Sequence, residues 1–277
     1  MMAIGVMIPM RVEAAKKVER PQRVPPSTYV LDLSTNAVRT SERAEVVRPI
    51  ASLTKLMTAM VLLDAHANLE RSVAYNPKRH AAYKNWMNFR TGDHLRGRDL
   101  FLAMLVGSQN IPARMLVDLT PYAEREFVQR MNVKAAALGL SQSRFVDVHG
   151  LSPKNVATAS EVARLLDVAL SYPDIADALQ RPSATVVVTS RRGGAREAFF
   201  NHTNTLLRHQ QRFATEASKT GYLDEAGDTI AMRVRDPVSG RQFIVVALGE
   251  PRRARRFPLA KRLAESALRG QRIAATH

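Results

Sequence analysis

Apolar residues along this chain change their spacing twice. Thr28-Tyr29-Val30-Leu31-Asp32-Leu33 alternates, Ser34-Thr35-Asn36 is turn chemistry, and Ala37 to Thr40 returns as a second strand. After Pro49 the step lengthens. Ile50, Leu53, Leu56, Met57, Met60, Val61 and Leu63 recur at three- and four-residue intervals, with no Gly or Pro until well past Asp64. That is the pattern of a helix buried on most sides. Residues 66–99 are polar and irregular, punctuated by Asn76-Pro77 and Thr91-Gly92-Asp93. Trp86 and Phe89 lie here, and both covering a groove and packing into the core are open to them.

The helical spacing resumes over 98–106, which ends at Gly107, and over 111–119, 124–138 and 158–172. After Pro182 the period returns to two. Strands are expected at 185–189, 214–222, 229–234 and 242–248, with turns at Gly193-Gly194, at 225–228 and at 236–240. A basic amphipathic helix over 254–269 closes the chain. The order predicts an α/β (α+β) fold, with one antiparallel sheet built from both ends of the chain and flanked by helices. A helical subdomain is inserted at about 66–180. The main body is expected over 27–250, with 251–277 as closing helix and tail.

Composition narrows the classes. The 277 residues can bury a sizeable core, and 45% hydrophobic with 24% charged residues is ordinary for a globular protein. No apolar run approaches the 18 residues a membrane span needs. The net charge of +16 favours a polyanionic partner: nucleic acid, an anionic membrane surface or an anionic wall polymer. No nucleic-acid-binding motif is present. Cysteine is absent, which excludes disulfides, thiolate metal sites and a Cys nucleophile. At the N-terminus, residues 3–10 are apolar and Val12-Glu13-Ala14 has the small-x-Ala form of a signal-peptidase site. Residues 1–26 are therefore expected to be a signal-peptide remnant and linker, with a disordered tail as the alternative.

The buried-helix segment carries an anomaly. Ser52 and Lys55 stand at i and i+3, so they share a face. Lysine is seldom fully buried without a partner or a task. Ser52 could cap the helix while Lys55 snorkels. Alternatively, an amine with a lowered pKa could take the proton of the serine hydroxyl. Two later segments weigh on this choice. Ser108-Gln109-Asn110 follows a helix, and Lys219-Thr220-Gly221 lies on an expected edge strand, where glycine marks close backbone approach. S-x-x-K, S-x-N and K-T-G in this order form the signature of penicillin-binding proteins and class A β-lactamases.

The chain resembles the low-molecular-weight penicillin-binding proteins, the D-alanyl-D-alanine carboxypeptidase/endopeptidase family (serine peptidase family S11). The likeness extends through Ala51 to Thr58, Phe145 to Ser152 with Asn155, and Asn201 to Leu207. Ser218 to Gly227 is similar to the penicillin-binding protein seven type, the endopeptidase branch. The resemblance implies a serine β-lactamase/DD-peptidase-like catalytic domain hydrolysing peptidoglycan stems or cross-links, penicillin-sensitive and exported to the periplasm or cell wall. It assigns Ser52 as nucleophile, Lys55 as base, Ser108 as proton relay and Asn110 as a positioning group. Lys219, Thr220 and Gly221 bind substrate, with the N–H groups of Ser52 and Tyr222 as oxyanion hole. Lys219 is expected to lower the pKa of Lys55. Peptidoglycan peptides and covalent β-lactams are the expected partners, with at most peripheral membrane contact and no nucleic acid, metal or organic cofactor.

Gln109 stands where relatives often carry Asp or Gly. The alternatives are a serine β-lactamase, for which no E-x-x-L-N run occurs in 140–180 and Glu161 reads as a helix cap, and an inactive wall-binding protein. His149 is expected to stabilise a turn, His80, His94, His202 and His209 to be solvated or packed, and Arg252 to Arg256 to form a solvated helix start.

Overall fold

The computed structural model describes residues 24–209 and 211–270. The expected signal remnant lies outside the described residues up to position 23. Strands β1 (Ser27–Asp32) and β2 (Ala37–Glu42) form the opening hairpin. The short β3 (Arg48–Pro49) leads into a 3₁₀ turn, Ala51–Leu53, continuous with α1 (Thr54–Asp64). Next come β4 (Ser72–Ala74), α2 (Pro77–His80), β5 (His94–Arg96), α3 (Gly97–Leu105), α4 (Asn110–Val117) and α5 (Glu124–Ala137). They are followed by β6 (Val156–Ala157), α6 (Ala159–Ala169), α7 (Pro173–Gln180), β7 (Ser183–Thr189), β8 (Ala195–Asn201) and α8 (Thr205–Arg208). The chain closes with β9 (Ala214–Leu223), β10 (Gly227–Arg235), β11 (Gln242–Glu250) and α9 (Arg256–Leu268).

The main sheet has the order β2-β1-β11-β10-β9, and each neighbouring pair is antiparallel. Both ends of the chain build it, as the sequence predicts, and β9 lies at its edge. Alternation along β11 divides the core in two. Ile244, Val246 and Leu248 join the large cluster with α1 and the other inserted helices. Phe243, Val245 and Ala247 join the smaller cluster with Ala260, Leu263, Ala264 and Ala267 of α9. The sheet is therefore the middle layer, with period-two side chains feeding both faces. Helix α1 is enclosed: Leu56, Met57, Ala59, Met60 and Leu62 have no exposed surface.

The expectation of a single sheet is corrected. A second sheet has the order β4-β5-β7-β8, so the strand expected at 185–189 leaves the main sheet for this one. Two of its strands come from the stretch read as irregular, so the insert at about 66–180 is not purely helical. Strands β4 and β5 have three residues each, too few for alternation to register. In β8, Arg196 and Glu197 interrupt the apolar pattern. Helix α7 also went unread; Pro173 sits at its first turn, where proline initiates as readily as it breaks.

The Ser52 segment is fastened to the insert by Asn155, which is fully buried. Its carbonyl accepts from Ile50 N at 2.9 Å, its side-chain oxygen from Val146 N at 2.9 Å and Asp147 N at 3.3 Å, and its amide donates to Ser152 O at 3.0 Å. Asn155→Ala strands buried backbone donors, and we expect it to cost about 2–4 kcal/mol. Urea unfolding followed by circular dichroism checks this.

Candidate active site

Pro49 and the tight 3₁₀ turn deliver Ser52 to the base of α1. Ala51 adopts φ +48°, a left-handed conformation costly for a residue with a Cβ. Neither the turn nor α1 has a side-chain N-cap bond. Ser52 therefore does not cap the helix. Lys55 does not snorkel either, because it has no exposed surface. Its Nζ lies 2.9 Å from Ser52 Oγ and 2.8 Å from Asn110 Oδ1, and it also donates to the carbonyl of His149.

The other two motifs arrive from opposite sides. Ser108 precedes α4 with φ +56°, again left-handed. Its Oγ accepts from Lys219 Nζ at 2.7 Å. Lys219 is fully buried in β9 and donates also to Thr220 O at 3.0 Å. Gly221, two residues on, shares the face of Lys219. A Cβ at Gly221 would stand 2.8 Å from Ser52 N and 2.6 Å from Thr229 Oγ1. The turn and the strand thus meet at backbone distance. Ser52, Ser108, Gln109, Asn110, Thr220, Gly221 and Tyr222 line one cleft of about 410 Å³, together with Trp86, Thr203 and Arg256.

Burial pushes Lys55 down to about 7, against the Asp147 carboxylate, which pulls it up. Lys219 falls well below the ordinary lysine range, first through burial and then through the charges of Lys55 and Arg256. The expected origin of the Lys55 shift is thereby corrected: burial dominates, and the mutual repulsion is expressed at Lys219. Two buried amines this close titrate as a pair, so protonating one disfavours protonating the other.

Several supporting groups were not read from the sequence. Arg256, expected on a solvated helix start, donates to Gly221 O at 3.2 Å and pairs with Asp228 at 2.5 Å. Thr203 Oγ1 accepts from Thr220 Oγ1 at 2.7 Å. His202 Nδ1 accepts from Asn204 N at 3.0 Å, so Nε2 carries the proton and faces Ser218 O at 3.0 Å. Burial and then Lys219 lower His202 to about 4, which keeps it neutral. It braces β9 just before Lys219. Asp147 organises the loop whose His149 carbonyl holds Lys55. One carboxylate oxygen accepts from His149 N at 3.0 Å and from Gly150 N, the other from Ser152 N at 2.8 Å. The His149 ring stays within this turn and receives the Leu151 N–H at 3.2 Å. Glu161 accepts from Gln142 N at 2.7 Å and Ser143 Oγ at 2.8 Å, stitching the preceding loop, and does not line the cleft.

The family model of the D-alanyl-D-alanine carboxypeptidases matches residues 14–252. The chain belongs to this family. It is similar to the D-alanyl-D-alanine endopeptidase of Escherichia coli K12, 32% identical over 227 residues, covering 80% of this chain and 71% of that protein. A protein of the same description from Pseudomonas aeruginosa is 35% identical over 217 residues, covering 77% and 69%. Penicillin-binding protein D2 of Listeria monocytogenes, solved in the cefotaxime-bound form, superposes with a TM-score of 0.71 at 27% identity, covering 86% of this chain and 95% of that one. The fold is thus that of the penicillin-binding DD-peptidases, and the protein is a serine hydrolase of this kind acting on peptidoglycan.

In this DD-peptidase, Gly150 lies against the Ala51–Leu53 turn that carries Ser52. With φ +82°, a Cβ there would fall 2.1 Å from Ala51 O, whereas Gly139, at φ +70°, has nothing within 4 Å. The pair separates backbone strain from collision. Gly139→Ala is expected to cost about 1 kcal/mol, and Gly150→Ala at least about 3 kcal/mol because Ala51 must move. Thermal unfolding of both variants measures the difference.

Proposed function

We propose that this DD-peptidase is an exported endopeptidase that cuts the cross-links between peptidoglycan stems through an acyl-enzyme on Ser52. The observation that carries the reading is Lys55 Nζ at 2.9 Å from Ser52 Oγ, with no exposed surface and its pKa lowered to about 7. The endopeptidase description of its E. coli and P. aeruginosa relatives supports the choice of cross-link over terminal residue.

Neutral Lys55 takes the Ser52 proton as Oγ attacks the amide carbonyl. Asn110 Oδ1 orients the amine. The N–H groups of Ser52 and Tyr222 receive the developing oxyanion. The C–N bond breaks, and the proton passes through Ser108, held by Lys219, to the leaving amine. Water then attacks the ester, giving one of its protons through Lys55 to the departing Ser52 Oγ and leaving the acid product. Thr220 and Arg256 form the polar, cationic end of the cleft, suited to the carboxylate beside the scissile bond. A β-lactam presents the same carboxylate next to a strained amide and acylates Ser52 in the same way; the cefotaxime-bound Listeria relative supports this.

The pH dependence follows from Lys55. Below its pKa the lone pair carries a proton and the base is lost. Above it the amine is free. We expect acylation by fluorescent penicillin to rise as pH passes upward through about 7 and then to level off. Lys55→Arg stays charged and is expected to lose at least about a thousandfold in rate. Ser52→Ala, incubated with monomeric and cross-linked muropeptides and analysed by mass, is expected to yield no products. Persistent cleavage by that variant overturns the mechanism.

A further inference from the structure

One wall of the cleft takes no part in these steps. Between α2 and β5 the chain runs as a loop whose apolar residues divide in two. Met87 and Phe89 are buried, Phe89 stacked on Tyr75 with ring centroids 5.2 Å apart. Tyr83 and Trp86 are 66% and 68% exposed. An aromatic this exposed on a slack loop would fold onto the surface and shed water. This loop is not slack. Asn85 accepts from Phe89 N at 2.9 Å and donates to Phe89 O at 3.0 Å. Arg196 donates to Met87 O at 2.9 Å and Asn88 O at 3.1 Å, and Arg114 to Ala81 O at 2.6 Å. Asn110, whose Oδ1 holds Lys55, donates its Nδ2 to Tyr83 O at 3.1 Å. Trp86 is therefore held outward, on the same cleft as Ser52. Lys84 accompanies it, with Nζ 5.1 Å from the Tyr83 centroid and 5.4 Å from that of Trp86.

The cleft is thus polar and cationic at the Thr220–Arg256 end and aromatic beside Asn110. A terminal D-alanine offers one carboxylate to be recognised, and the polar end accounts for it. A cross-linked substrate adds a second peptide stem, which brings aliphatic side-chain carbons and a terminal carboxylate of its own. An aromatic face next to an ammonium matches that pair of features. We propose that Trp86, with Tyr83 and Lys84, is a subsite for the second peptide stem of a cross-linked substrate and sets the preference for cross-links over terminal residues. This rests on the endopeptidase reading above.

Trp86 is the sole tryptophan of the chain, so its emission reports on this wall alone. In Ser52→Ala, a cross-linked muropeptide dimer is expected to shift the emission saturably, at concentrations roughly tenfold below those a monomer needs. In the active enzyme, Trp86→Ala is expected to lower the ratio of kcat/KM for dimer over monomer by about tenfold, mostly through KM, with Trp86→Phe restoring much of it. Lys84→Met should lower the same ratio by a smaller factor. Equal losses on both substrates, or an emission indifferent to the dimer, overturn the subsite and leave the endopeptidase reading intact. A wild-type enzyme that releases D-alanine from monomers but leaves dimers whole overturns both.

Discussion

Two lysine amines, Lys55 and Lys219, are sealed without exposed surface at the seam between sheet and helices. Taking an amine out of water is costly unless its hydrogens find acceptors and its charge can leave. Both conditions are met. Lys55 has Ser52 Oγ, Asn110 Oδ1 and the His149 carbonyl; Lys219 has Ser108 Oγ and the Thr220 carbonyl. These acceptors come from the 3₁₀ turn before α1, the start of α4 and the segment before it, the Asp147 loop and β9. Each element must be in place for the others to be tolerated. The same burial that makes the amines costly strips Lys55 of its proton near neutrality, so the stability problem and the chemistry have one origin.

The surrounding scaffold resists relaxation. Ala51, next to Ser52, and Ser108 hold left-handed backbone, each at a cost of about 1–2 kcal/mol. Ala51 cannot slide back, because Gly150 and Gly221 press on it from two sides. Behind the turn, α1 is locked among apolar neighbours that leave it no freedom to rotate. Ser52 is positioned by crowding of backbone against backbone, and the glycines are where that crowding becomes possible.

What could be read from the sequence follows from how each feature is encoded. Ser52 with Lys55, Ser108 with Asn110, and Lys219 with its two successors are short, fixed spacings; Ser52, Ser108, Asn110, Thr220 and Gly221 line one cleft, with the buried amines of Lys55 and Lys219 hydrogen-bonded to its two serines. The main sheet was legible because β1, β9, β10 and β11 are long enough to alternate. Locally, Ser52 looked like a helix cap; only contacts with segments far along the chain decide against it. Arg256 and Thr203 reach the site through the packing of α9 and the run before α8, and no local pattern carries that. Strands β4 and β5 owe their existence to pairing rather than to propensity. The cause of the Lys55 shift was misread because charge can be counted in a sequence and burial cannot.

Strand β1 pairs with β11 and not with the strands that follow it directly beyond its hairpin, and Arg256 reaches the cleft from the helix after β11. The first ordered strand is thus fixed in place by nearly the last. While the chain is emerging, β9 lacks β10 and the sheet has no centre. Ser52 and Lys55, made early, then have no buried seam around them. A hydrolase that acts on peptidoglycan thus acquires its buried amines only when its last strands are in place.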